Sequence, residues 1–297
     1  MIIYELNVRT HGKTFDEIDE AYLRQLADIG IDWLWVMGIY SESPASREIF
    51  KRQSPDFEAS PYALLDYSVN PKLGGEQAFS RFVERAHKVG LRVMVDFVAN
   101  HMAIDSPLID EHPEYFVHSD PRVRENERSE DYFQHRSGLI AYGRDPYFPC
   151  WIDTAQLDYT NANLRRHQID VLCGLACKVD GIRCDMAMLV LRRQIKSQWY
   201  PLLLWEEFER RMPTEFWAEA IAKIKSFRRD FIFMAEVYWN KEAELQSLGF
   251  DLTYDKRLYD LLAHNAPPQS VSIYLKSCPN YYLSRCVHFL ENKKELK

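Results

Sequence analysis

Short apolar runs alternate along most of the chain with longer segments in which apolar residues recur at helical spacing. The apolar runs are typical of buried β-strands and cover residues 2–8, 33–39, 91–98, 181–187, 231–237, 250–254 and 286–291. The helical segments cover residues 15–29, 76–88, 161–178 and 241–248, with further helical sequence up to residue 227. Strands that alternate with helices in this way predict a parallel sheet covered by helices.

Two folds contain such a sheet, an open doubly wound sheet and a closed eight-stranded barrel. None of the predicted strands is followed by the glycine-rich motif of a nucleotide-binding open sheet, and this favours the barrel. Only seven strands are predicted, so the expected fold is an α/β, (β/α)8 TIM barrel that is incomplete at its C-terminus. Edge strands expose unpaired backbone groups, so we expect the open barrel edge to lower stability or to promote self-association.

The alternation of strands and helices is interrupted between residues 102 and 159. This segment is rich in proline, charged and aromatic residues and has no sustained periodicity. Its length predicts a small inserted subdomain after the third strand. The barrel is therefore assigned to residues 1–101 and 160–297, and the inserted subdomain to residues 102–159.

Charge and cysteine content narrow the classes of partner. The chain has 37 Lys and Arg against 44 Asp and Glu, a formal net charge of -7, and no basic block, which argues against nucleic acid and anionic membranes. No apolar run is long enough to span a membrane, and the N-terminal residues do not resemble a secretory signal. Six cysteines without C-x-x-C pairs are typical of free thiols. We expect a cytoplasmic protein with a neutral substrate such as a sugar.

Polar residues gather at the carboxyl ends of three predicted strands, where a barrel builds its active site. Asp96 lies near the end of the third strand, and Arg183 and Asp185 share one face of the fourth because side chains alternate along a strand. Arg183 would hold Asp185 ionised, as a nucleophile requires. Glu236 lies among apolar and aromatic residues of the fifth strand, and such surroundings raise the pKa of a carboxyl, which suits a general acid. From the residues alone, capping or salt-bridge roles remain the alternative for each.

These segments carry a resemblance to a known family. Asp96-Phe-Val-Ala-Asn-His101, Gly181-Ile-Arg-Cys-Asp185-Met-Ala and the strand of Glu236 resemble, in order and spacing, the first three motifs of the alpha-amylase family, glycoside hydrolase family 13. Residues 60–75 are similar to that family's loop before the second barrel helix. Residues 151–161 are similar to the end of its inserted subdomain. The resemblance extends from residue 1 to about residue 292.

The resemblance implies a retaining glycosidase or transglycosidase that acts on alpha-linked glucosides or glucans. Asp185 would be the nucleophile and Glu236 the acid/base. Arg183 would orient Asp185, and Tyr62 would stack on the bound sugar ring. The full set of substrate-binding residues that the resemblance implies is Tyr62, Asp96, His101 and Arg183.

The chain departs from the family pattern at its C-terminal end. The family's fourth motif ends Asn-His-Asp, whereas Asn292 is followed by Lys293 and Lys294, so the third acid of the site is missing. The sequence also ends before an eighth strand. These two departures predict low activity for the chain as written.

Two other departures bear on specificity and cofactors. Ala63 follows Tyr62 where exo-acting members have Asp, which argues against an exo-glucosidase. Leu189 replaces a histidine of the family's calcium site, so no metal or other cofactor is predicted, although Asn100 leaves calcium open. The remaining alternatives are a non-catalytic remnant that binds sugar and an unrelated barrel enzyme.

Overall fold

Strands and helices alternate through the residues that the structure, a computed structural model, describes: 1–51, 59–122 and 128–289. The strands in these residues are β1 (Ile3–Asn7), β2 (Trp33–Met37), β3 (Tyr40–Glu42), β4 (Leu64–Val69), β5 (Arg92–Val98), β6 (His101–Ala103), β7 (Tyr132–His135), β8 (Gly138–Gly143), β9 (Trp151–Gln156), β10 (Gly181–Asp185), β11 (Ile232–Ala235), β12 (Leu252–Tyr254) and β13 (Cys286–Val287). The α-helices are α1 (Val8–His11), α2 (Glu20–Asp28), α3 (Pro44–Lys51), α4 (Gly75–Lys88), α5 (Pro107–Glu111), α6 (Ala162–Ala176), α7 (Arg192–Trp199), α8 (Trp205–Arg211), α9 (Phe216–Lys225), α10 (Glu242–Ser247), α11 (Lys256–Ala263), α12 (Pro268–Ser277) and α13 (Asn280–Leu283).

Seven strands form one curled parallel sheet in the order β1-β2-β5-β10-β11-β12-β13. Each pair of neighbours in this sheet is parallel. All residues of β2 and β10 are buried, as expected for strands that are covered on both faces. The predicted strand number and the incomplete (β/α)8 barrel are therefore confirmed.

The sheet ends in β1 on one side and in β13 on the other. Residues of both end strands line a cavity of about 930 Å³, so the curled sheet remains open between them in the described part of the chain. The last strand is shorter than the predicted 286–291, since it covers Cys286–Val287. Residues 290 and 291 lie outside the described residues.

Local capping explains one difference from the predicted helices. The segment 15–29 is not one helix but a 3-10 turn, Phe15–Glu17, followed by α2. The Asp19 carboxylate accepts a hydrogen bond from the Tyr22 N–H. This N-terminal cap starts α2 as a helix separate from the 3-10 turn. The described residues also contain α11, α12 and α13 between the last two strands of the parallel sheet, and the antiparallel pair of β3 and β4, which the periodicity did not predict.

The segment after β5 is regular where the sequence indicates no period. It forms an antiparallel sheet in the order β6-β9-β8-β7. Its strands are short, and the two-residue connection Arg136-Ser137 between β7 and β8 lacks the Asn-Gly signature of a hairpin. The periodicity of each strand is therefore too brief to be read from the sequence.

Aromatic packing beneath the sheet holds the loops at its carboxyl end. Trp217 of α9 is fully buried and contacts the Phe97 and Phe250 rings edge-on. Its indole N–H donates to the Ala187 carbonyl at 2.8 Å. The Ala187 N–H in turn donates to the Glu236 carbonyl at 3.0 Å. The core thus joins the loop after β10 to the end of β11.

Candidate active site

The carboxyl ends of β5, β10 and β11 place three acidic side chains around one guanidinium. Arg183 lies opposite Asp96 in the strand register. Arg183 Nη1 lies 2.8 Å from Asp185 Oδ1 and 3.2 Å from Asp96 Oδ1. Arg183 Nη2 lies 2.6 Å from Glu236 Oε2. The pairing of Arg183 with Asp185 that the shared strand face predicts is present, and two further carboxyls join it.

Arg183 is fully buried, and aromatic rings complete its surroundings. Its guanidinium lies 5.0 Å from the Trp35 ring centroid and 5.3 Å from that of Tyr62. Its Nε donates to the Tyr254 hydroxyl at 3.2 Å. Burial by itself lowers the pKa of Arg183, but the nearby carboxyl of Glu236 and those of its other partners raise that pKa well above its ordinary value. The guanidinium therefore remains charged and fixed in position.

Asp96 lies beneath the cavity, only 3% exposed. Burial raises its pKa to about 7, with a contribution from the charge of Asp185, while the Arg183 guanidinium opposes the change. Asp96 can therefore exchange a proton near neutral pH. The sequence did not indicate this, because burial depth depends on how the sheet curls.

Glu236 has a more polar environment than its strand sequence suggests. Its Oε1 accepts a hydrogen bond from the Tyr238 hydroxyl at 2.7 Å, and its Oε2 accepts one from the Met186 N–H at 2.9 Å. Met186 has a left-handed backbone, with φ of 44°, a costly conformation that persists at functional sites. The sequence predicts only the apolar part of this environment.

A cavity of about 980 Å³ opens above these carboxyls. Tyr62, His101 and Asp185 are the sequence-predicted site residues that line it, whereas Asp96, Arg183 and Glu236 are not among its lining residues. The His101 ring lies 5.1 Å from the Trp151 ring. Most of the cavity wall is not predicted from the sequence; it includes Phe50, Asp145, Phe148, Trp151, Asp153, Tyr238, Trp239, Lys256 and Asp260.

An aromatic rim extends from the cavity wall into solvent. Asp145 Oδ1 accepts hydrogen bonds from the N–H groups of Tyr147 and Phe148. These bonds form a turn that presents both rings outward. Tyr147 is 67% exposed and Phe148 is 68% exposed. The Tyr147 ring contacts the Trp239 ring edge-on at 4.9 Å. The rim, defined as Tyr147, Phe148 and Trp239, joins the inserted segment to the loop after β11.

Asn100 and Leu189, the two positions that bear on a calcium site, both lie in the described residues. Within them, no cluster of three or more His, Cys, Asp or Glu side chains is arranged to hold a metal ion. The Asn100 amide, on which a calcium site would depend, is hydrogen-bonded to Gln156 through both its oxygen and its nitrogen. Leu189 is buried.

The C-terminal departures from the family pattern lie beyond the last described residue. Phe289 contacts the rings of Tyr254 and Tyr259. Lys293 and Lys294, like Asn292, lie outside the described residues, so the missing third acid stays a prediction from sequence.

None of the helices in the described ranges has the length and apolar character needed to cross a bilayer.

The fold and the site together define a class of protein. Acidic residues on neighbouring strand ends of a parallel barrel, beside a cavity lined by aromatic rings, are typical of barrel enzymes that cleave glycosidic bonds. The family model for the alpha-amylase catalytic domain matches residues 20–266. The chain belongs to the alpha-amylase family of glycoside hydrolases, which confirms the resemblance and excludes an unrelated barrel enzyme.

The chain spans less than two thirds of the length of each similar protein described here. It is 25% identical over 270 residues to the alpha-amylase MalA of Haloarcula japonica, which is 88% of this chain and 33% of that protein. It is 36% identical over 118 residues to an alpha-1,4-glucan:maltose-1-phosphate maltosyltransferase of Salinibacter ruber, 35% of this chain and 18% of that enzyme. The crystal structure of an alpha-amylase from Lactobacillus plantarum matches with a TM-score of 0.67 and 26% identity, over 93% of this chain and 58% of that one.

The raised pKa of Asp96 predicts a pH-dependent contribution to stability. The pKa of this carboxyl is about 7 in the folded chain against 3.8 ordinarily, so its stabilising contribution is complete below about pH 4 and lost as the pH rises through 7. The difference in unfolding free energy between the wild type and Asp96→Asn should therefore fall over this interval, by at most about 4 kcal/mol. Urea titrations at several pH values measure it.

The matched control is Glu84→Gln, which removes an exposed carboxyl on α4. It should leave the pH dependence of stability unchanged. If the difference between wild type and Asp96→Asn does not vary between pH 4 and 7, Asp96 does not titrate in that range and the prediction is wrong.

Proposed function

We propose that this chain carries the catalytic centre of a retaining alpha-glycosidase or transglycosidase that acts on neutral alpha-linked glucans. The observation that carries the proposal is the contact of Asp185 and Glu236 with the two terminal nitrogens of Arg183. Both carboxyls are therefore held in one site, as a retaining enzyme with carboxyls about 5 to 5.5 Å apart requires. Inverting enzymes need about 6.5 to 9.5 Å, and the configuration of the first product distinguishes the two mechanisms.

The proposed roles follow from which carboxyl reaches the cavity. Asp185 lines the cavity and is held by Arg183, so it would attack the anomeric carbon and form a glycosyl-enzyme ester. Glu236 would supply the proton that the leaving oxygen takes up. In the second step Glu236 would take a proton from water or from an acceptor sugar. The oxygen of that water or sugar would attack the anomeric carbon and release Asp185, which restores the starting state.

The cavity wall supports a neutral sugar chain as substrate. Aromatic faces such as those of Tyr62 and Trp151 suit the apolar faces of sugar rings, and the aromatic rim would contact a chain that extends outward. Among the described residues, the acidic side chains that line the cavity are Asp145, Asp153, Asp185 and Asp260, against the single lysine Lys256. Lys256 is paired with Asp260. This charge balance disfavours a phosphorylated sugar such as the one named for the Salinibacter relative.

The remaining roles and assignments are also proposals. Tyr62 and His101 would contact the sugar, with Asp96 and Arg183 supporting the site from below. We propose that the sheet of β6 to β9 is the inserted subdomain, residues 102–159, with the barrel in 1–101 and 160–297.

The cytoplasmic location is supported by six free cysteines and is tested by cell fractionation. Self-association through the edges of β1 and β13 is tested by sedimentation over a range of concentrations.

The test of the function is a product assay with purified chain. We expect maltooligosaccharides to be cleaved or disproportionated slowly, as the missing third acid predicts, with the alpha configuration retained in the first product seen by NMR. We expect no use of maltose 1-phosphate or trehalose 6-phosphate. Products of inverted configuration, or turnover of the phosphorylated sugars alone, would reject the proposal.

A second candidate is a protein that binds alpha-glucan without cleaving it. The observation in its favour is that the Glu236 side chain is 1% exposed and is not among the residues lining the cavity. Calorimetry with maltooligosaccharides separates the two candidates. Binding that releases no product over long incubation, and that is unchanged by Glu236→Gln, would favour the binding protein.

A further inference from the structure

The proposed nucleophile divides the cavity into two sides. Asp185 ends β10, and the sheet order places β2 on one side of β10 and β11 on the other. Glu236 follows β11 and would protonate the leaving oxygen, so the leaving sugar would lie towards β11. The sugars on the other side of the cleaved bond, the glycon, would then lie towards the connection between β2 and β5. This connection contains α3, and the cavity is lined by its residues Phe50, Ser60 and Tyr62.

Asp153 reaches the cavity on the glycon side. It lines the cavity although it is only 3% exposed. Its Oδ2 accepts a hydrogen bond from the Ser46 hydroxyl at 2.6 Å, and the oxygen of that hydroxyl accepts one from the Ser60 N–H at 3.0 Å. Ser46 belongs to α3 and is fully buried. These bonds fix the Asp153 carboxyl beside the connection between β2 and β5. Because Oδ2 is engaged by Ser46, Oδ1 is the oxygen that a ligand would meet.

A buried carboxylate at this place requires hydrogen-bond donors. Burial raises the pKa of Asp153, an effect that the Ser46 hydroxyl opposes and the charge of Asp105 strengthens. Burying a charge is costly unless other groups satisfy it. The hydroxyls of a neutral sugar are donors, and an ionised carboxyl has acceptor sites for two of them at once. Asp153 can therefore supply a hydrogen-bonded recognition of sugar that aromatic rings do not provide.

We propose that Asp153 is a specificity-determining residue that binds the hydroxyls of a second glycon sugar. The inference rests on the function proposed above. The first glycon sugar carries the anomeric carbon and would lie beside the Tyr62 ring, which is 5.3 Å from the Arg183 guanidinium. The next sugar along the glycon side would meet the Asp153 carboxylate, held by Ser46 of α3. A donor with two glycon sugars is therefore preferred to a donor with one.

The test compares 4-nitrophenyl alpha-maltoside with 4-nitrophenyl alpha-glucoside by the release of nitrophenol. The leaving group is the same, so the ratio of the two kcat/KM values measures the contribution of the second glycon sugar. We expect wild type to prefer the maltoside. Asp153→Asn keeps an acceptor for Ser46 but removes the charge, and it should lower this preference about 10- to 100-fold, the usual contribution of hydrogen bonds to a charged group. Its kcat/KM on the glucoside should change much less.

Asp105 provides a matched control, because it anchors the same helix. Its Oδ1 accepts a hydrogen bond from the Ser43 hydroxyl at 2.6 Å, and its Oδ2 accepts one from the Ala45 N–H at 2.9 Å. Asp105→Asn should therefore weaken the anchor of α3 and leave the preference for the maltoside unchanged. Ser46→Ala, which removes the donor that orients Asp153, should lower the preference by a smaller factor, whereas Ser43→Ala should not. Melting curves check that each variant is folded.

Three results of the rate comparison would overturn the sugar contact. The first is a wild type that does not prefer the maltoside. The second is an Asp153→Asn variant that keeps the wild-type preference. The third is an Asp105→Asn variant that loses the preference as much as Asp153→Asn does, since the carboxyl of Asp153 would then only hold α3 in place.

Calorimetry with maltotriose separates failure of the contact from failure of the proposed function. A wild type that releases no nitrophenol from either glycoside rejects the proposed function. In that case, weaker binding of maltotriose by Asp153→Asn, with unchanged binding by Asp105→Asn, still supports the contact. Equal binding by wild type and Asp153→Asn rejects the contact, and a wild type that neither reacts nor binds maltotriose rejects both.

Discussion

Asp185→Asn and Glu236→Gln are each expected to abolish turnover of an unactivated alpha-glucan. An amide cannot attack the anomeric carbon as a carboxylate does, and it cannot supply the proton for the leaving oxygen. Since about 1.4 kcal/mol of transition-state stabilisation is tenfold in rate, losing either group should cost several orders of magnitude in kcat. Chromatography of the products from maltooligosaccharides measures the loss.

The two substitutions preserve shape, so the fold should survive them. The amide introduced by Asp185→Asn would keep an oxygen for Arg183 Nη1, and the amide introduced by Glu236→Gln would keep one for the Met186 N–H, the contacts seen in the wild type. Matched controls are Asp28→Asn and Glu84→Gln, which alter exposed carboxyls on helices and should leave activity unchanged. An Asp185→Asn variant with a near-normal rate would show that another group is the nucleophile.

Trapping distinguishes the nucleophile from a residue that only binds. A fluorinated maltosyl donor with a good leaving group should accumulate as an ester on Asp185, since fluorine slows the second step more than the activated first one. Mass spectrometry of the digested protein locates the adduct. We expect the adduct in wild type and none in Asp185→Asn, and an adduct on another residue would contradict the assignment.

Arg183→Met is expected to destabilise the fold strongly at neutral pH. Arg183 is fully buried and contacts Asp96, Asp185 and Glu236, so its removal leaves a group of buried carboxyls without a cation. Removing one partner from a buried ion pair typically costs about 3 to 5 kcal/mol. The loss should be smaller at pH 4, where the carboxyls can be neutralised by protons. Urea titrations at pH 4 and pH 7 measure both values.

An exposed arginine provides the control for this prediction. Arg136 pairs with Asp110 at 3.0 Å, and both side chains are largely exposed. Exposed pairs contribute about 0 to 1 kcal/mol, so Arg136→Met should change stability little at either pH. If the Arg183→Met variant loses the same free energy of unfolding at pH 4 and at pH 7, the cause is lost packing and not unpaired charge.

Much of the fold could be predicted because its information is local. The period of apolar residues identified the seven strands of the parallel sheet, and the helices α4, α6 and α10 lie where helical spacing placed them. The proximity of Arg183 and Asp185 is also local, because residues two apart on one strand share a face. The same spacing relates Tyr238 to Glu236, and these two side chains are also hydrogen-bonded.

Only the tertiary structure decided the relations between strands that are distant in the chain. The contact of Arg183 with Glu236, the burial that raises the pKa of Asp96, and the aromatic rim formed by Tyr147 and Trp239 join different elements. Strand register and the curl of the sheet set these distances, and neither is encoded in the periodicity of a single segment. The sequence by itself therefore determined which residues carry the chemistry, whereas the curled sheet determined which of them touch the cavity and which support it from below.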